Sequence, residues 1–327
     1  MYSRFYRKML NLETILNNFN FSKIPLELLK ENVTKETAKA WFDNFDWNAA
    51  IDFYGLRKHQ KFMSMFDDYL KHFSENNNLA IAVYVIHHYL FADKKYGWDH
   101  SIERNNADMF PALVLLSGWQ THLANMKQHN FDNTQIEKHK ARIYECCTIG
   151  FDTYGLDGIE CSQLIWGSIF INAHIVEIGR LQYEVKKFEY SIPNLQIHPK
   201  FCIGIHIFRG EKLHKAAVDA SLKEARLIIP TYFKELGTKP KFFIHSWLLA
   251  QNLDNYLNPD SNISYFRKLF EILNYTNETS IVKFLYNTTS DDISTYAEDT
   301  SLRRQVKQAM QQGIKFYDGI GLLKENE

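Results

Sequence analysis

Proline and glycine are scarce in this chain, at 7 and 14 of 327 residues. So few backbone breakers exclude a loop-rich or disordered design and favour long regular elements. Cysteine is scarcer still, with only Cys146, Cys147, Cys161 and Cys202. An adjacent pair and two scattered thiols make no disulfide framework and have no zinc-knuckle spacing, so reduced thiols in the cytoplasm are expected. Net charge is missing too, because 38 basic residues balance 38 acidic ones. No basic stripe stands out, and a nucleic-acid partner is not expected. The short pairs Lys186-Lys187 and Arg303-Arg304 read as solvated faces. No segment approaches the roughly 20 uninterrupted apolar residues of a membrane span. The opening residues, Met1 to Leu16, lack the apolar core and cleavage site of a signal peptide. Neither a membrane partner nor export is expected.

What the chain has in quantity is apolar and aromatic surface. Apolar residues make up 45%, and 24 Phe and 18 Tyr raise the aromatic share to 15%. The length predicts two domains. Residues 1–152 read as a helical domain. Aromatics recur at helical spacing at Phe62, Phe66, Tyr69 and Phe73. Leu79 to Phe91 is apolar on nearly all sides, as a buried central helix would be. Met109 to Met126 and Thr134 to Cys147 are expected as two more helices. The stretch Phe151 to Glu160, with two glycines and three acidic residues, is expected as a linker.

Residues 153–327 change pattern. A helix is expected over Ser162 to Ile178. Leu181, Tyr183 and Val185 then alternate with Gln182, Glu184 and Lys186, the signature of a half-buried strand. Phe201, Ile203, Ile205 and Ile207 alternate in the same way with Cys202, Gly204, His206 and Phe208. Phe242 to Leu248 is a nearly continuous apolar run, as a central strand requires. Lys268 to Leu273 and Ile281 to Tyr286 are expected as a hairpin turning at Tyr275 to Glu278. Thr300 is expected to cap a final helix, with Leu302, Val306 and Met310 on one face and Gly313 at its end. Pro230 interrupts the helical pattern of Val218, Leu222, Ala225, Ile229 and Phe233, so a kink or break is expected there. The order predicts an α+β chain in which a mixed sheet flanked by helices follows the helical domain.

The turn from Ile203–Phe208 into the helix after it collects unpaired backbone N–H groups, which bind phosphates without a dedicated side chain. His206 shares its strand face with Gly204, a small residue that leaves room for a ligand. An imidazole there takes a proton from an amine, directly or through water, or else serves as a hydrogen-bonded core histidine. Glu184, on the polar face of the earlier strand, is a second candidate base, with surface exposure as the alternative. His245, Ser246 and Trp247 sit at a strand end and are expected as a pocket wall. Ser246 lacks the Gly-x-Ser-x-Gly elbow of hydrolases. His87-His88 is the one adjacent histidine pair; no His-Glu-x-x-His or Cys-x-x-Cys accompanies it, and no metal is expected.

Five blocks occur in a distinctive order: GRLQYEV (Gly179 to Val185), IGIHIFRGEKLHKAAVDASLKEA (Ile203 to Ala225), HSWLL (His245 to Leu249), DSNISYFRKLFEIL (Asp260 to Leu273) and EDTSLRRQVKQAMQQG (Glu298 to Gly313). Together they resemble a bacterial acyltransferase family that joins a helical N-terminal domain to a GNAT-like C-terminal domain. The resemblance implies acyl transfer, with acetyl as the expected group, from acyl-CoA to a small-molecule or peptide amine by direct attack. It implies that Ile205 to Phe208, with Ile207 and Phe208 at the exit, polarise the thioester carbonyl. Arg209, Gly210, Lys212, His214 and Lys215 would then bind the pyrophosphate, and Tyr256 would protonate the leaving thiolate. The chain departs from the usual GNAT phosphate loop, which has two closely spaced glycines where only Gly210 stands here. A non-catalytic GNAT-like binding or scaffold protein is the alternative that this departure supports.

Overall fold

Apolar residues at three- and four-residue spacing build the first part of the chain. The computed structural model describes residues 35–74, 77–91, 108–188, 200–208, 212–236, 240–288 and 290–324. Its helices are α1 (Lys35–Asp43), α2 (Trp47–Tyr54), α3 (Gln60–Ser74), α4 (Asn77–Phe91), α5 (Phe110–Ser117), α6 (Trp119–Gln128), α7 (Asn133–Asp152) and α8 (Cys161–Ile171). Helix α5 is buried along its whole length. The single helix expected over Met109 to Met126 is two, because Gly118, a weak helix former, lies between α5 and α6. No described helix is long and apolar enough to cross a membrane.

The chain divides into two units between His174 and Ile175. The sequence boundary at 152/153 falls inside the first of them. The stretch 151–160 is tied there by paired backbone bonds between Asp108 and Ile159, at 3.2 and 2.9 Å. Helix α8 then packs on α4, α5, α6 and α7. The helix expected to run to Ile178 stops at Ile171, and its tail becomes β1 (Ile175–Ile178).

The second unit carries β1, β2 (Leu181–Lys187), β3 (Phe201–His206), α9 (Lys215–Tyr232), β4 (Phe242–Ser246), α10 (Asn262–Lys268), β5 (Phe270–Tyr275), α11 (Ile281–Tyr286), α12 (Ser301–Gln311) and β6 (Gly319–Leu323). The sheet order is β1-β2-β3-β4-β6-β5, antiparallel throughout except for β3 beside β4. Helix α9 lays Val218, Ser221, Leu222, Ala225 and Ile229 against the sheet, where it meets β1 and β2. Pro230 does not break it: the helix continues to Tyr232, because proline deprives only the exposed Arg226 carbonyl of its bond in the last turn.

Two expectations fail for identifiable reasons. Ile281–Tyr286 is a helix rather than a strand: Ser280 gives its N–H to the Asp318 carboxylate at 3.0 Å, and Ile281 and Tyr286 turn into one apolar cluster. The partner of β5 is instead β6, whose sequence GIGLL carries two glycines and little strand propensity. At the C-terminal helix Thr300 caps as expected, its side chain accepting the Arg303 N–H at 3.2 Å.

Buried histidines give the first unit a pH dependence. His122 Nδ1 lies 3.0 Å from the Tyr54 hydroxyl, and its Nε2 lies 3.1 Å from Nδ1 of His139. Burial, reinforced by His139, holds the His122 pKa well below the ordinary imidazole value. Burial and then His88 lower His87 to about 4. Both rings are neutral when folded, whereas unfolding frees them to take a proton near pH 6.5. Their stabilisation is therefore complete above that value and is lost as pH falls below it toward the folded values. The urea midpoint, followed by tryptophan fluorescence, is expected to fall between about pH 7.5 and about 5, and His122→Asn should flatten that slope. A wild-type midpoint that does not move over this range would contradict it.

Candidate active site

The parallel ladder between β3 and β4 is short. It pairs Ile203 with Phe242 and Gly204 with Phe243, while the strands run on to His206 and Ser246. On its other side β3 stays paired with β2 up to Gln182 opposite His206. Alternation along the strands puts Gly204 and His206 on the same face as Phe243 and His245. The opposite face lies toward α9, where the Tyr183 hydroxyl meets Ser221 Oγ at 2.7 Å.

On the first face His206 Nε2 lies 2.7 Å from Glu184 Oε2. The β2–β3 register explains the contact: Glu184 stands opposite Gly204, two pairs along from Gln182 opposite His206 and so on the same face. A Cβ at position 204 would lie 3.3 Å from His206 Nε2, 3.5 Å from Glu184 Oε2 and 3.1 Å from Lys186 Cδ. Glycine thus leaves the gap over which the three side chains converge. Lys186 Nζ comes within 4.0 Å of the same carboxylate oxygen, so Lys186 is not the solvated residue expected. Glu184 is 6% exposed, against the surface alternative. The half-buried alternation expected of β2 is replaced by burial from Leu181 to Val185. Its polar residues are paired instead of solvated, with Gln182 donating to Glu177 at 3.1 Å. An ionised carboxylate only accepts, so Nε2 is the nitrogen that donates in this pair. A carboxylate that fixes tautomer and orientation in this way equips an imidazole to take up a proton.

The other expected residues are distributed around this pair. Ile207 and Phe208 leave β3 half-buried. Arg209 and Gly210 lie outside the described residues. Lys212, His214 and Lys215 are exposed where α9 begins. His214 occupies the N-cap position with extended backbone and no side-chain cap bond, so it provides no acceptor for the first-turn N–H groups. Ser246 Oγ accepts the Leu248 N–H at 3.1 Å, a turn-capping role. Trp247 and Tyr256 pack against one apolar cluster around Ala250, Leu253 and Phe316, with the Tyr256 ring 5.6 Å from that of Phe316. The structure brings His206 and Glu184 together and sets Trp247 and Tyr256 in this second cluster.

His245 joins two residues that sequence reading missed. His245, Glu278 and Asp318 each bring one donor atom to within 4.8 Å of the others. His245 Nε2 is 3.7 Å from Glu278 and 3.4 Å from the Thr276 hydroxyl. Asp318 is 3% exposed, and burial pushes its carboxyl pKa up, partly offset by its bonds from the Ser280 N–H and hydroxyl. With both oxygens engaged by Ser280, Asp318 anchors the 276–280 loop at the start of β6. Three residues so far apart in the chain left no local signal.

Residues 175–323 match the family model of a GNAT-like C-terminal domain. No curated protein matches the chain. Among solved structures it is similar to an acyltransferase in complex with decanoyl-CoA, at 19% identity and a TM-score of 0.61, over 76% of this chain and 78% of that one. It is similar to an acyltransferase bound to decanoyl-CoA and teicoplanin at 20% identity and a TM-score of 0.63, over 76% and 79%. An acyltransferase mutant with octanoyl-CoA gives 20% identity and a TM-score of 0.63 over 77% and 80%. The likeness at this identity is one of fold. The match to a GNAT-like C-terminal domain thus covers residues 175–323, and a helical unit comes before them in the chain.

Proposed function

We propose that the protein is an acyltransferase that moves an acyl group from acyl-CoA to an amine. The observation that carries this reading is the His206–Glu184 pair at 2.7 Å, on the sheet face where β3 and β4 part. Strands that stop pairing leave a slot in which an extended thioester arm can lie along a backbone edge. The uncapped start of α9, flanked by Lys212 and Lys215, suits the phosphates at the far end of such a ligand. The solved neighbours carry decanoyl-CoA, octanoyl-CoA and teicoplanin, which supports an acyl-CoA donor and a small-molecule acceptor. They extend the donor series from the expected acetyl to medium chains.

In this mechanism the amine nitrogen attacks the thioester carbonyl carbon, forming the C–N bond while the carbonyl oxygen takes up negative charge. Backbone N–H groups at the end of β3 stabilise that oxygen. His206 takes the proton released from nitrogen at Nδ1, and Glu184 holds the resulting imidazolium. Collapse breaks the C–S bond, and the CoA thiolate takes a proton from Tyr256 or from His206. No covalent enzyme intermediate is involved, and the described cysteines are all buried.

Purified protein, offered acetyl-, octanoyl- and decanoyl-CoA with a panel of amines, should release CoA and give acylated product by mass spectrometry. His206→Ala should lower kcat by roughly 10²–10⁴-fold, the usual contribution of a general base. Glu184→Gln should lower it less, and Tyr256→Phe should lower it only if tyrosine supplies the thiolate proton. Turnover that survives His206→Ala undiminished would remove the proposed base. CoA binding without turnover on any acceptor would favour the scaffold alternative. Gly204→Val tests the gap itself: its side chain would displace the His206 ring, and turnover should fall by about 10²-fold while the thermal midpoint stays within a few degrees. Unchanged turnover in that variant would show that the gap is not part of the site.

A further inference from the structure

The GRLQYEV block carries an arginine that the chemistry above does not use. Arg180 stands in the tight turn between β1 and β2, and it is 4% exposed. Its Nε donates to the Lys212 carbonyl at 3.3 Å, and its Nη1 donates to the Phe208 carbonyl at 3.1 Å. The guanidinium carbon also lies 4.7 Å from the centre of the Phe208 ring. Phe208 and Lys212 are the described residues on either side of 209–211. One planar cation on a neighbouring hairpin thus grips both the exit from β3 and the approach to α9.

The hairpin is itself fixed to α9. Gly179 has φ +56, and a Cβ there would lie 3.1 Å from Ser221 Cβ, so the turn rests directly on the helix. The Ser221 hydroxyl donates to the Ile178 carbonyl and meets the Tyr183 hydroxyl. Ser221 lies in the second turn of α9, the helix whose uncapped start the phosphates would face.

We infer that Arg180 is the positioning residue for the nucleotide half of CoA: it sets the separation of Phe208 and Lys212 and thereby aims the first N–H groups of α9. The inference rests on the acyl-CoA reading above. Lysine cannot substitute, because a point ammonium cannot donate along two fixed directions while stacking on the Phe208 ring.

The test compares full-length wild type with Arg180→Gln, Arg180→Lys and Phe208→Leu by calorimetry. Three probes are used: CoA, its phosphate-bearing half adenosine 3′-phosphate 5′-diphosphate, and octanoyl-pantetheine, which lacks the nucleotide. Both Arg180 variants should weaken CoA and the nucleotide half by about tenfold or more, as expected when a charge-assisted pair of bonds is lost. Octanoyl-pantetheine affinity should stay at the wild-type value, and Phe208→Leu should shift the first two probes in the same direction by less. Equal loss for all three probes would make Arg180 a general structural residue and overturn the inference. Unchanged CoA affinity in a folded Arg180→Gln variant would also overturn it, with the functional reading intact. Wild-type protein that binds none of the probes would sink the acyl-CoA reading and this inference with it. Should Arg180→Gln fail to fold, Arg180→Lys and Phe208→Leu decide by the same comparison of probes.

Discussion

The second unit depends on a ladder that stops early. Two parallel pairs join β3 to β4, and beyond Gly204 and Phe243 the strands continue without that pairing. Strands normally avoid this, because backbone donors and acceptors out of water need partners. Here the parting is framed by elements that hold each strand from its outer side. Strand β2 remains paired with β3 as far as His206, and β6 with β4 as far as Ser246. The slot is therefore fixed by its flanks. An imidazole stands on each side of it and on one face of the sheet: His206 against Glu184, and His245 beside Glu278 and Asp318.

Scarcity of proline and glycine raises the question of what fixes the irregular segments of this unit. Buried cations do much of it. Arg180 bonds the carbonyls of Phe208 and Lys212. Arg267 donates to the Leu248 carbonyl at 2.6 Å and to Asp254 at 2.7 Å, pinning the turns that follow β4. Lys307 bonds the carbonyls of Ser294 and Tyr296, each at 2.9 Å, and Glu298 at 2.7 Å, which secures the approach to α12. Burying a charge is costly unless its hydrogen-bonding capacity is met. Each of these cations meets that need with carbonyls that a loop would otherwise leave unsatisfied. Rigidity that other chains obtain from backbone-restricted residues comes here from long side chains reaching across the fold.

Element types were legible wherever the apolar period was strong. Helix α4, the strands β2 and β3, and the Thr300 cap all follow from local pattern, although burial does not alternate along either strand. Legibility failed where tertiary partners overrode a short pattern. Ile281–Tyr286 has strand-like composition yet coils as α11, because Asp318 binds Ser280 ahead of it and apolar residues receive its inner face. Strand β6 was invisible because its glycine-rich sequence becomes a strand only between β4 and β5. Helix α8 looked like the start of the second half, but its packing partners belong to the first.

The sequence by itself determined the class of fold, a helical part followed by a mixed sheet with helices, since periods of 3.6 and 2 are written locally. It also supplied His206 and Glu184 as separate candidates, each with an innocuous alternative. Only the tertiary structure made them a pair. Strand register is set by the whole face a strand buries, and a slip of one residue would send Glu184 to the opposite side of the sheet. Arg180 shows the same limit over a longer reach: its partners lie 28 and 32 residues away, and nothing in the local pattern names them. Composition fixes which side chains are available to the site, and pairing across the sheet decides which of them meet.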